Sequence, residues 1–222
     1  MGWPRNLVLV RHAESIGNVY GEDARAQLEE PTHQYDLTPL GVRQAEITGE
    51  WLKREFPKGF DTYYVSYYKR SRRTMEIMFP QAKLYEDPRL AEAQRGIFHT
   101  MTKAEVQERF PEELERLKRE GLYHYRPFGG ENWPDVELRI HSFLGTLNRD
   151  CEGLDVVMVV HGHWLILLNR LLRHFTIEEA VQQYQRKVSA NASVTIYRGI
   201  KKNGQDRLEI ATCNHVPWKG LI

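Results

Sequence analysis

The 222-residue chain has only two cysteines, Cys151 and Cys213. That is too few for a disulfide framework and makes a reducing compartment the expectation. No apolar run approaches membrane-spanning length, and the opening MGWPRN lacks the apolar core of a secretory leader. The cytoplasm is the expected location, with no membrane partner. An excess of charge is missing as well: 31 Lys and Arg face 30 Asp and Glu, for a formal net charge of +1. A protein built to coat nucleic acid carries a strong positive balance, so nucleic acid is not an expected partner. There is no internal repeat, low-complexity tract or linker, and the length suits one sizeable core better than two. The rest, 41% hydrophobic and 27% charged, is ordinary for a globular protein.

Residues 6–10 are apolar almost throughout and too short for a helix, as in a strand covered on both faces. From Thr38 the period becomes helical, with Pro39 opening a first turn and Pro57 stopping it. Residues 61–66 (DTYYVS) read as a second strand followed by a helix to about Met78, and 83–86 as a short third strand. Thr102 to Glu105 has a capping-box pattern, and a further helix with a charged, solvated face follows Pro111. A loop of aromatics and glycines (LYHYRPFGGENWPD) precedes a helix over 134–149. DVVMVV at 155–160 is the most hydrophobic strand and the expected centre of the sheet; it leads into HGHW and a leucine-rich helix. Two late strands, 192–198 and 208–212, flank an Asn-Gly hairpin signal. This alternation predicts a three-layer α/β/α sandwich, with a mostly parallel central sheet and an antiparallel edge. One domain is expected over 1–222, with 92–135 forming a lid.

In such sheets the ligand crevice lies beyond the carboxyl ends of the strands. Strand one ends in Arg11-His12, strand two ends just before Arg70, and DVVMVV ends in His161. Each has a bland alternative: a solvated loop for Arg11-His12, an exposed helix face for Arg70 in KRSRR, a helix cap for His161. Together they place two guanidiniums and two imidazoles on one rim. Guanidinium forks match phosphate oxygens, and a neutral imidazole can attack phosphorus. For that attack one ring nitrogen of His12 must be bare while the other donates, for instance to a backbone carbonyl. His161 is expected to act as an imidazolium donor to phosphate. Asn18 is either a phosphate ligand or a turn residue, and the Gly162 amide opens a helix where an anion could rest.

Six stretches stand out along the chain: LVRHAESIGN (9–18), DLTPLGVRQA (36–45), SYYKRSRRTME (66–76), LAEAQRGIF (90–98), GGENWPDVELR (129–139) and VVHGHW (159–164). In these the chain resembles the histidine phosphatase superfamily, the phosphoglycerate-mutase-like enzymes. The resemblance implies a transient phosphohistidine on His12, a phosphate cradle of Arg11, Arg70 and His161, and Glu92 as proton donor. Three positions depart from the family pattern. The usual Ser-Pro-Leu is Ser66-Tyr67-Tyr68, the Gly-x-Trp-Glu stretch is Gly96-Ile97-Phe98-His99, and the serine of Gly-Glu-Ser is Asn132.

The expected activity is metal-independent hydrolysis of a small phosphorylated metabolite, with no cofactor. A mutase must shield its phosphohistidine while the intermediate reorients, and in the family's mutases a long insertion provides the cover. Here 39 positions separate Glu92 from Glu131 (131 − 92). A cofactor-dependent phosphoglycerate mutase is the main alternative, and a non-catalytic phospho-ligand module the remote one. A metal pair at His161 and His163 is disfavoured, because helical spacing points the rings apart. Substrate identity, a homodimer versus a monomer, and the roles of His99, His163 and the 119–133 loop stay open at this stage.

Overall fold

Alternation along two apolar strands builds the core. The computed structural model describes residues 2–222, apart from the side chains of residues 22 and 23. In β1 (Asn6–Arg11), Leu7 and Leu9 point to one face of the sheet, Val8 and Val10 to the other, and all four are fully buried. The later strand at Asp155–Val160 repeats the split, with Val156, Met158 and Val160 on one side and Val157 and Val159 on the other. A strand covered on both faces keeps no polar side, which is why both runs read as continuous apolar sequence.

After β1 come two short helices, α1 (Ile16–Val19) and α2 (Glu22–Ala26), then the long α3 (Pro39–Glu55). Next are β2 (Thr62–Val65), α4 (Lys69–Met78) and β3 (Leu84–Glu86). Helices α5 (Lys103–Arg109), α6 (Pro111–His124) and α7 (Trp133–Asp150) lead to β4 (Asp155–Val160), followed by α8 (Gly162–Arg173) and α9 (Ile177–Gln185). The hairpin β5 (Val194–Lys202) and β6 (Gln205–His215) completes the sheet. Strand order is β3-β2-β4-β1-β5-β6, parallel from β3 to β1 and antiparallel at β5 and β6. Helices α7 and α8 cover one face, and α3 and α4 the other. The chain thus forms the α/β sandwich expected, with β4 inside the sheet. Among the described residues no helix is long and apolar enough to cross a membrane.

Local signals placed most element ends. Thr38 caps α3 through its hydroxyl, which accepts from the Gly41 N–H at 3.0 Å, and Pro39 fills the first turn. Thr102 and Glu105 form the capping box of α5. Asn203 and Gly204 sit at φ 53° and 76°, the left-handed pair a tight hairpin needs. Two readings need correction. β6 is much longer than the 208–212 core of its pattern, because the polar Gln205, Asp206 and Arg207 pair with β5 on an exposed margin. The aromatic loop also begins later than its composition suggests. Gly121, at φ 73°, breaks α6, and Leu122 to His124 add a further helical turn.

Gly41 joins α3 to the loop that follows β1. A Cβ there would lie 2.0 Å from the backbone carbonyl oxygen of Glu14. That carbonyl also accepts from the Thr38 N–H at 3.0 Å. Alanine normally gains about 0.5–1 kcal/mol over glycine inside a helix. Here backbone must move, so Gly41→Ala is expected to lose on the order of 1–2 kcal/mol net. A denaturant melt of the variant checks this, and a gain in stability would contradict the close approach.

Candidate active site

The parallel register sets the ends of three strands level. Arg11 pairs with Val160, and Val65 with Val159, so His12, His161 and Ser66 leave adjacent strands at one height. The His12 and His161 ring centroids are 5.1 Å apart. Arg70, in the first turn of α4, reaches between them and is itself 8% exposed. Its Nε donates to His12 Nε2 at 3.1 Å, its Nη2 faces His161 Nδ1 at 3.4 Å, and its Nη1 donates to the Thr32 carbonyl at 2.9 Å. The guanidinium also lies over the Tyr68 ring, 4.4 Å from its centroid.

These bonds determine the tautomers. A guanidinium only donates, so His12 Nε2 accepts and carries no proton. His12 Nδ1 lies 2.8 Å from the Ala13 carbonyl, which only accepts, so the proton is on Nδ1. By the same reasoning His161 is bare at Nδ1, and its Nε2–H donates to Ser66 Oγ at 2.9 Å. Burial, reinforced by Arg70, holds both rings well below the ordinary histidine value. His161 is therefore neutral where it faces the Arg70 guanidinium. The reason is burial beside a fixed guanidinium, which residue type alone does not reveal.

Arg11 completes the rim. Its Nη1 donates to the Ser189 carbonyl, while its buried Nε has no hydrogen-bond partner among the described residues. Gly162 makes room for it, since a Cβ there would stand 3.2 Å from Arg11 Nε. Burial lowers the Arg11 pKa, and that of Arg70 to about 10, so both stay charged at neutral pH. The charge of Glu92 acts favourably on both guanidiniums. Its Oε1 accepts from the Ala93 N–H at 3.0 Å.

Asn18 has its oxygen occupied. Oδ1 accepts from the Ser15 N–H and hydroxyl, each at 3.0 Å, and from Asn191 Nδ2 at 3.2 Å. Asn191 also donates to the His12 carbonyl at 3.0 Å, which ties Asn18 to the His12 backbone. Only the amide N–H₂ of Asn18 could turn toward an anion. His163 diverges from His161 and packs against Trp133 and Tyr184, with centroids 4.5 and 5.0 Å away. His99 is partly covered and lies near Arg95 and Arg25. Sequence reasoning gives no site role to Ser66, Ser189, Asn191 or Tyr68. Ser66 directly follows a strand, which is a usable signal; Ser189 and Asn191 come from 178 and 179 positions away and carry none.

Two donor-only guanidiniums, a bare imidazole nitrogen and a nearby carboxyl form a site suited to handling phosphate. The chain belongs to the histidine phosphatase superfamily (branch 1), whose family model matches residues 7–209. It is 30% identical over 204 residues to a phosphoglycerate mutase-like protein of Arabidopsis thaliana, covering 82% of this chain and 60% of that protein. The chain thus spans about three fifths of the length of that relative. It is 34% identical over 160 residues to phosphoserine phosphatase 1 of Hydrogenobacter thermophilus, covering 70% of each. In fold it matches the α-ribazole phosphatase of Shigella flexneri with a TM-score of 0.74 at 19% identity, over 95% of this chain and 98% of that one.

Four histidines, two buried and two partly covered, make stability depend on pH. Burial pushes His99 and His163 down to about 4, and His12 and His161 are lowered as well. In the unfolded chain such rings titrate near 6.5. Below that pH the unfolded chain binds more protons, so stability falls as pH drops from about 6.5 toward 4. Each ring contributes at most about 1.4 kcal/mol per pH unit in that window. His99→Gln and His163→Gln should each flatten the dependence in denaturant melts between pH 7 and 4.5. An unchanged slope would mean these rings are charged in the folded protein.

Proposed function

We propose that the protein hydrolyses a small phosphomonoester without metal, through a phosphohistidine on His12. The observation that carries this reading is the His12 tautomer: Nδ1–H is fixed on the Ala13 carbonyl, and the bare Nε2 faces Arg70. A phosphate entering the cradle takes over the Arg70 N–H groups and exposes Nε2. That lone pair attacks phosphorus, the P–O bond to the alcohol breaks, and Glu92 gives its proton to the departing oxygen. Glu92, now a carboxylate, takes a proton from water as the water attacks phosphorus; the P–N bond breaks and His12 regains its lone pair. Arg11 and Arg70 hold the non-bridging oxygens, supplying the charge that a metal supplies elsewhere. A dianion also favours protonation of His161 at Nδ1, which would then become a third donor.

The 92–135 segment is the proposed lid. It carries a short 3₁₀ turn at Gly96–His99, then α5 and α6, and it folds back on itself where Ile97 N–H donates to the Phe128 carbonyl at 3.1 Å. Its modest length supports hydrolysis, because water must reach the phosphorylated ring. The likeness to a phosphoglycerate mutase-like protein supports the second reading, a mutase.

His12→Ala should abolish turnover, and Glu92→Gln should lower kcat by roughly 10²–10⁴. Full turnover in His12→Ala would remove the phosphohistidine. EDTA should leave the rate unchanged. With 3-phosphoglycerate primed by its bisphosphate, the expected product is inorganic phosphate; rapid formation of 2-phosphoglycerate with negligible phosphate release would establish the mutase instead.

A further inference from the structure

Glu92 lies on an irregular stretch between a 3₁₀ turn at Pro88–Leu90 and another at Gly96–His99. No strand ladder holds it there, yet a proton donor misplaced by an ångström loses much of its effect. Arg139, on α7, is placed to supply the missing support. Its Nη1 donates to the carbonyls of Arg89 at 2.9 Å and Ala91 at 2.7 Å. Its Nη2 donates to the Glu92 carbonyl at 3.3 Å and to Glu131 Oε2 at 3.0 Å, and its Nε donates to Glu131 Oε1 at 2.9 Å. All five guanidinium N–H groups are thereby used. Glu131 extends the grip: its Oε2 accepts from the Gln94 N–H at 3.0 Å, and its own N–H donates to the Gln94 carbonyl at 2.9 Å.

We propose that the Arg139–Glu131 pair is a clamp that positions Glu92 for proton transfer. This rests on the reading of Glu92 as the proton donor. The clamp takes hold of the backbone at 89, 91, 92 and 94, on both sides of the acid, and leaves the Glu92 carboxyl to face the guanidiniums. The two side chains are mostly covered, at 16% and 24% exposure, so the bidentate pair is only partly screened by solvent. A lysine at 139 keeps the charge but cannot span these five acceptor atoms.

The test compares kcat/KM for p-nitrophenyl phosphate, whose leaving group needs little protonation, with that for an alkyl phosphate, whose leaving group needs it fully. This parameter reports events up to loss of the alcohol. Arg139→Lys should lower the alkyl value by roughly 10–100-fold and the aryl value by less than about threefold. In a Glu92→Gln background, Arg139→Lys should cost nothing further on the alkyl ester, because the two act as a unit. Equal losses on both esters, or losses that multiply in the double variant, would reduce the pair to a structural brace and overturn the proposal. If Arg139→Lys does not melt cooperatively, Glu131→Gln, which keeps one acceptor oxygen, is used for the same comparison. A wild-type protein inert toward both esters overturns the hydrolase reading, and the clamp with it.

Discussion

Two guanidiniums and two imidazoles meet at one rim and are largely shut off from water. Concentrating cationic groups in a pocket of low dielectric is costly unless something offsets the charge. Each group shows the response. His12 and His161 are held neutral, the Arg70 pKa falls to about 10, and the Thr32 and Ser189 carbonyls accept guanidinium N–H groups. In the proposed reading the remaining imbalance favours a dianion of phosphate size, which relieves the repulsion between like charges. The same imbalance keeps Nε2 of His12 bare, since a second proton there would add to the positive charge.

Only a rigid frame can hold such groups together. The parallel pairing of β1 with β4 and of β2 with β4 fixes the heights of Arg11, His161 and Ser66 to within a register position. Full burial of both strands on both faces makes slippage expensive, because a one-residue shift would send each side chain to the opposite layer. Close approaches finish the job: α3 meets the Glu14 backbone carbonyl at Gly41, and α8 meets the Arg11 side chain at Gly162. A side chain at 41 would strike backbone, and one at 162 would press on the Arg11 guanidinium.

The sequence made the cradle legible because its members stand at the ends of strong strand patterns. LVLV precedes Arg11-His12 and DVVMVV precedes His161, so strand and site were read in one step. Arg70 was recoverable from KRSRR only because two other strand ends pointed to the same rim. What escaped was whatever depends on backbone atoms or on distant loops. The Ser189 carbonyl and Asn191 act on Arg11 and His12 from across the chain, and a carbonyl acceptor has no residue signature. Arg139 escaped for a similar reason: three of its five bonds go to carbonyls. The protonation state of His161 depends on burial, which the HGHW motif does not encode. The polar start of β6 failed to register because a solvated edge strand needs no apolar alternation.

The two halves of the site differ mechanically, and this bears on how one cradle can suit different substrates. In the proposed reading the nucleophile and Arg11 rest on the end of β1 and Arg70 on the first turn of α4, a frame that cannot shift without disturbing the core. The acid rests on a stretch whose geometry comes from side chains of α7 and the loop before it. The two are coupled where Gln94 Nε2 donates to the Tyr68 hydroxyl at 2.8 Å, with the Tyr68 ring packed under the Arg70 guanidinium. On the proposed reading, substitutions in 95–130 would reshape the surface above the cradle while the contacts at 94, 131 and 139 keep hold of the backbone around Glu92. A departure such as Phe98-His99 would then bear on which alcohol is accepted, and phosphoryl transfer would be left to the frame beneath.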